Sequence, residues 1–109
     1  MLAQLSPAAL DRYFDTVELA PYTEFTETSP ARLREIIAKV REQGYAVVDQ
    51  ELDLNVRAIG VPVRAASGRA CGGLNVSVKS PRIPLARFTS EFLAPMQAAA
   101  DKLGQFLVL

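Results

Sequence analysis

The sequence predicts an α+β fold, an antiparallel sheet with helices packed on it, on three observations. Two Ser-Pro pairs each open a stretch of helical apolar spacing. Two β-rich runs flank a Ser-Gly turn. A long apolar stripe of helical period closes the chain. Strands and helices do not alternate regularly, so a doubly wound parallel sheet is not expected.

The first helix follows Ser6-Pro7. Ser6 can accept from free backbone amides of the first turn, and Pro7 suits the first helical position, where its missing N–H costs nothing. Its apolar positions are Leu10 and Phe14, with Tyr13 and Val17 beside them. From Leu19 to Thr28 three threonines and a proline predict extended chain or loop. The second helix follows Ser29-Pro30. Leu33, Ile36, Ile37 and Val40 stand on one face, and Gly44 ends it.

After Gly44 the pattern changes to strand. Tyr45 to Val48 is a short strand, and an acidic segment, Asp49 to Asp53, follows it. Val56–Arg64 and Ala70–Lys79 form a hairpin around Ser67-Gly68. From about Leu85 onward the chain is helical, with Leu85, Phe88, Phe92, Met96, Ala99, Leu103 and Phe106 on one stripe. Pro95 lies inside it and predicts a bend there or a break just before it. The stripe closes the domain's own core or pairs in part with another subunit.

Side chains alternate across a strand, so the hairpin has two unlike faces. With Ser67 and Gly68 at the centre of the turn, Ile59 faces Val76 and Val61 faces Leu74. On the other face Gly60 meets Asn75, and Ala58 meets Ser77. A slip of one residue would mix the two sets, so burial favours this register. The first face is branched and apolar, suited to lie under a helix. The second carries Val56, Ala58, Gly60, Pro62, Gly73, Asn75 and Ser77. Small side chains leave volume above it, and an amide and a hydroxyl point into that volume, an arrangement suited to a small polar or carboxylate ligand. A plain solvent-facing sheet surface has the same composition, and the pattern alone leaves both readings open.

Composition narrows the function. The chain has 109 residues, one domain's worth, spanning 1–109. Half of them are apolar and 22% are charged, an ordinary globular balance. Twelve basic and twelve acidic residues cancel, leaving no electrostatic footprint for a phosphate backbone. Histidine is absent, which removes the usual general base and a common metal ligand. Cys71 is the single cysteine, with no base to activate it, and is expected to be a packed small residue. Glu51 and Asp53 lack a third ligand of clear spacing, so they read as a solvated loop or salt-bridge partners, not a metal site. Arg57 falls on the face opposite Ala58, so an ion pair with one of the nearby acids is favoured over a ligand clamp. No catalytic residue, metal or cofactor is expected, and the chain does not read as an enzyme. No apolar run reaches the roughly 20 residues needed to span a bilayer, and no signal peptide is evident, so a cytoplasmic protein without membrane contact is expected.

Taken in order, Gly44-Tyr45, Asp49-Gln50-Glu51-Leu52, the run Arg57 to Val63, Gly68-Arg69 and Leu74-Asn75-Val76-Ser77 resemble the effector-binding domain of IclR-family transcriptional regulators. Arg82, the segment Glu91 to Pro95, and upstream Leu2-Ala3, Leu5, Pro7 and Leu10 fit the same pattern, so the resemblance covers almost the whole chain. The Asp49 to Leu52 variant looks like the branch containing regulators of protocatechuate, hydroxybenzoate and β-ketoadipate catabolism. The resemblance implies a GAF-like (GAF/profilin-like) domain that binds a small organic acid and forms dimers or tetramers. It also implies an N-terminal winged helix-turn-helix that contacts DNA. Against that pattern the chain is expected to be partial, lacking the winged helix and the opening part of the sensor domain. The family's polar pocket positions fall on Asn75 and Ser77, another falls on Ala58 with Val56 at its mouth, and one that is acidic in some members falls on Val48. Valine there makes that wall apolar and favours an acid with a ring or hydrocarbon body, aromatic or dicarboxylic. Together with Gly60 these are the candidate effector-binding residues. The competing reading is a ligand-independent oligomerisation or protein-interaction module.

Overall fold

The computed structural model describes residues 1–79 and 83–107. A short 3-10 turn, Leu2–Gln4, precedes α1 (Pro7–Thr16) and α2 (Pro30–Gln43). Three strands follow, β1 (Ala46–Asp49), β2 (Val56–Arg64) and β3 (Ala70–Lys79), then α3 (Leu85–Gln105).

Both Ser-Pro starts act as the sequence implies. Ser6 Oγ accepts from the Ala9 amide at 3.2 Å, and Ser29 Oγ from the Arg32 amide at 3.4 Å. Gly44 ends α2 in the left-handed region at φ +84°, its N–H donating to the Val40 carbonyl at 2.8 Å. A residue with a Cβ would be strained there. The two helices and the initial turn share a small core of Ala3, Leu10 and Ile37, flanked by Phe14 and Val40. Arg34 lies 4.7 Å over the Phe14 ring and pairs with Asp11 at 2.8 Å. Ile36, expected on the buried stripe, is exposed, because Ile37 and Val40 already fill the narrow contact with the turn.

The sheet is antiparallel in the order β1-β2-β3. The β2–β3 register is the one that burial favoured, with Ile59 opposite Val76, Gly60 opposite Asn75 and Ala58 opposite Ser77. An irregularity between Val63 and Arg64 precedes the turn, where Gly68 takes φ +86°. β1 begins and ends one residue later than expected and pairs with β2, Ala46 opposite Gly60 and Val48 opposite Ala58.

The branched face packs under α3. Ile59 and Phe88 are fully buried, joined by Val61, Val63, Met96 and Ala100. α3 runs unbroken through Pro95, so no break precedes the proline. Pro95 lies on the exposed side, where water can serve the carbonyl that lost its amide partner. The stripe also departs from expectation at its end. Ala99, Leu103 and Phe106 are exposed, and Ala100 and Gly104 are buried in their place. The contact follows steps of four residues, Phe88, Phe92, Met96, Ala100 and Gly104, and its small members let the helix approach the end of β2 closely. On the solvent face of α3, Arg87 pairs with Glu91 at 2.8 Å. That hydrogen bond, then the carboxylate charge, raises the guanidinium above its ordinary pKa, and exposure leaves the pair little weight in stability.

α1 and α2 do not cover the second face of the sheet. The molecule is accordingly flat, 40 × 38 × 19 Å, with a helix on one side of the sheet and a concavity on the other.

Candidate functional site

Strand parity places small residues on the open face. Each rung across the sheet contributes one residue per strand: Ala46, Gly60 and Asn75 on one, Val48, Ala58 and Ser77 on the next. They floor a cavity of about 740 Å³. Val56, Pro62 and Gly73 extend the floor. Leu5, Val40 and Arg41 of the first turn and α2 make a wall, and Leu52 and Asp53 of the β1–β2 loop stand at the rim. All six residues selected from sequence, Val48, Val56, Ala58, Gly60, Asn75 and Ser77, line this one cavity.

The Asn75 side chain lies across Gly60. A Cβ built on Gly60 would stand 2.8 Å from Asn75 Oδ1, closer than real Cβ contacts allow. Glycine at 60 therefore lets the amide lie low along the floor. Asn75 and Ser77 are exposed on the open side, and among the described residues neither the amide nor the hydroxyl has a hydrogen-bond partner in the protein. They are free to bond a guest.

The rim is held by a feature that the local sequence pattern does not reveal. Gln50 and Asn55 both take positive φ, 61° and 65°, and Gln50 Oε1 accepts from the Asn55 amide at 3.1 Å. From the threonine-rich segment, Thr23 Oγ1 donates to the Gln50 carbonyl at 2.5 Å, and Thr26 Oγ1 donates to the Glu51 carbonyl. Glu51 Oε1 accepts from the Glu27 amide at 3.1 Å. Hydroxyls thus satisfy carbonyls that no strand partner reaches, and the base of the loop is fixed while Leu52 projects. The three threonines of this segment are the signal in the sequence, but the partners of Thr23 and Thr26 lie more than twenty positions along the chain.

Arg57 pairs with Asp49 at 2.6 Å and donates to the Ile83 carbonyl at 3.0 Å, on the face turned to α3 and away from the cavity. The ion-pair reading holds. Cys71 is half-buried against the core, its thiol donating to the Val63 carbonyl at 3.3 Å. Among the described residues no three His, Cys, Asp or Glu side chains group as metal ligands.

The cavity is also lined by two arginines that the sequence pattern does not assign to it. Arg41 donates from Nε to the Ala3 carbonyl and from Nη2 to the Leu5 carbonyl, each at 2.8 Å. Arg64 donates to the Gly68 carbonyl and to Gln4 Oε1, each at 3.0 Å. Helical spacing and strand parity describe each arginine on its own element and do not show that both reach the same turn.

Residues 1–105 match the family described as the C-terminal part of bacterial transcriptional regulators of the IclR type. The chain belongs to this family. It is 36% identical over 103 residues to the Pca regulon regulatory protein of Pseudomonas putida, covering 94% of this chain and 35% of that protein. A transcriptional regulator of Rhodococcus sp. RHA1, solved by crystallography, superposes with a TM-score of 0.92 at 32% identity, over 95% of this chain and 42% of that one. The inducer-binding domain of an Acinetobacter PobR double mutant, crystallised with 3-hydroxybenzoic acid, superposes at 0.93 over 97% of this chain and 61% of that one. At 24% identity that likeness is one of fold. The IclR-type chain spans about a third of the length of the curated relatives it matches. Those relatives are transcriptional regulators, not enzymes. Among the residues that carried the resemblance, Arg82 lies outside the described ones.

Proposed function

We propose that this chain is the effector-sensing part of an IclR-type regulator, binding a small organic acid over the Gly60–Asn75 floor. The observation that carries the reading is the pairing of two exposed, unpartnered polar groups, Asn75 and Ser77, with a glycine and alanine floor in an open concavity of ligand size. Val48, Leu52 and Val56 make one side apolar, which suits an aromatic or dicarboxylic acid better than a very small keto acid. In the whole protein, a DNA-binding domain N-terminal to this part would respond by population shift: the acid binds one arrangement better and biases the spacing of the DNA readers. Assembly into a dimer or tetramer and a cytoplasmic location belong to the same proposal. Among the described residues no helix is long and apolar enough to cross a membrane.

A panel of aromatic and dicarboxylic acids should raise the melting temperature of the protein, with stabilisation reaching about 2.7 kcal/mol at a hundredfold excess over Kd. No response from any acid would count against the reading. Gly60→Ala supplies a sharper check. The new methyl displaces only the far end of the Asn75 side chain, so folding should change by no more than about 0.5 kcal/mol, whereas acid affinity should fall about tenfold. Unaltered affinity in that variant would separate the Asn75 amide from binding.

The second reading, a ligand-independent assembly module, draws on exposed Phe106 and Leu103 at the end of α3, 82% and 47% accessible. It expects an oligomer whose size and stability ignore small acids, which light scattering with and without the panel would reveal.

A further inference from the structure

The cavity is electrically lopsided. Arg41 from α2 and Arg64 from the end of β2 both line it, and both grip the same short segment, Ala3 to Leu5. Every hydrogen bond either guanidinium makes goes to a neutral acceptor, a backbone carbonyl or the Gln4 amide oxygen. Among the described residues neither has a carboxylate within ion-pair distance, although Arg32, Arg34, Arg57 and Arg87 each do. The acidic residue that lines the cavity, Asp53, stands on the β1–β2 loop, beyond the opposite end of β2 from Arg64. Two exposed guanidinium groups without an ion-pair partner therefore share one end of the cavity, and its carboxylate stands at the other.

We propose that Arg41 and Arg64 receive the carboxylate of the bound acid and so fix its direction in the cavity. The inference rests on the acid-binding reading above and goes beyond it by assigning the anion-recognising groups. Each guanidinium carries five donors and uses two here, so donors remain for a carboxylate without surrendering the turn. The body of the acid then lies over Gly60 and Ala58, with the Asn75 amide and Ser77 hydroxyl toward its distal polar group. An acid carrying a second polar group away from its carboxylate fills both sets of partners, whereas an uncharged analogue of the same shape leaves the arginines unanswered.

The test measures binding of benzoate, 4-hydroxybenzoate and adipate, and of their primary amides, by calorimetry on the wild-type chain and on Arg64→Gln and Arg41→Lys. The wild type should prefer an acid to its amide by at least about tenfold, and the preference should shrink as salt rises. Arg64→Gln, which keeps a donor for Gln4, should bind the acid about tenfold more weakly and the amide as before. Arg41→Lys keeps the charge and loses the fork, so it should lose less than Arg64→Gln. Acid and amide binding equally well to the wild type would overturn the inference without any variant. So would acid binding that survives Arg64→Gln unchanged but is lost in Asn75→Leu, and in both cases acid binding itself would stand. If the wild type binds no member of the set, the acid-sensing reading fails, and this assignment falls with it.

Discussion

Replacing Gly104 with alanine should lower the stability of the chain by about 2 kcal/mol and its melting temperature by about 10 °C. In an ordinary exposed helix the same change stabilises by about 1 kcal/mol, because glycine loses more backbone freedom on folding than alanine. Here the sign should invert. Gly104 is buried where α3 crosses the end of β2, and a Cβ would meet the Arg64 carbonyl oxygen deep inside van der Waals contact, with the carbonyl carbon at 3.1 Å. The obstruction is backbone on both sides, so no side chain can swing away. Relief requires the last turn of α3 to lift, which would uncover Ala100 and pull Leu107 from the core it packs against. Thermal unfolding followed by circular dichroism measures the effect directly, and an unchanged or higher midpoint would refute the close approach. Because Arg64 also lines the cavity, the same variant should weaken acid binding, linking the seat of α3 to the charged end of the site.

That contact also marks the limit of what the sequence could disclose. Apolar periodicity favoured Ala99, Leu103 and Phe106 at the end of α3, because a hydrophobic stripe is read from large side chains. The packed face instead uses Ala100 and Gly104, whose value lies in what they omit. The signal was a glycine four residues after an alanine, and it acquires meaning only with β2 placed beneath it. The hairpin was legible to the residue pair because parity and a two-sided pattern are local information: Ile59, Val61 and Val63 alternate with Ala58, Gly60 and Pro62, and one register keeps the sets apart. The helix starts were legible for the same reason, since Ser6 and Ser29 act within three residues of themselves. The grouping of Ala58 with Asn75 and Ser77 follows from those strands, whereas Val48 enters through the family resemblance and joins their face through the β1–β2 pairing. The rim and the charged end do not follow, because Thr23, Thr26, Arg41 and Arg64 make contacts far along the chain with acceptors that every residue offers.

Phe88→Ala should be the most damaging single change, about 3–5 kcal/mol. Against a total of roughly 5–15 kcal/mol for a domain, that is a large share of the whole. Phe88 is fully buried against Ile59, which is fully buried too, and meets the Phe92 ring edge-on at 5.2 Å between centroids. The truncation removes apolar contact and the aromatic pair, and leaves a void that stiff strands cannot close. It does so from the α3 side, whereas Asn75, Ser77 and Gly60 face the other way. The variant should therefore unfold at much lower denaturant concentration while each folded molecule keeps its affinity for the acid. Ligand stabilisation depends on concentration over Kd alone, so the increment in unfolding free energy at a given excess should match that of the wild type. A variant that folds yet loses the increment would show that the floor depends on the packing beneath it. Equal stability of variant and wild type in urea would show that Phe88 does not anchor the helix to the sheet.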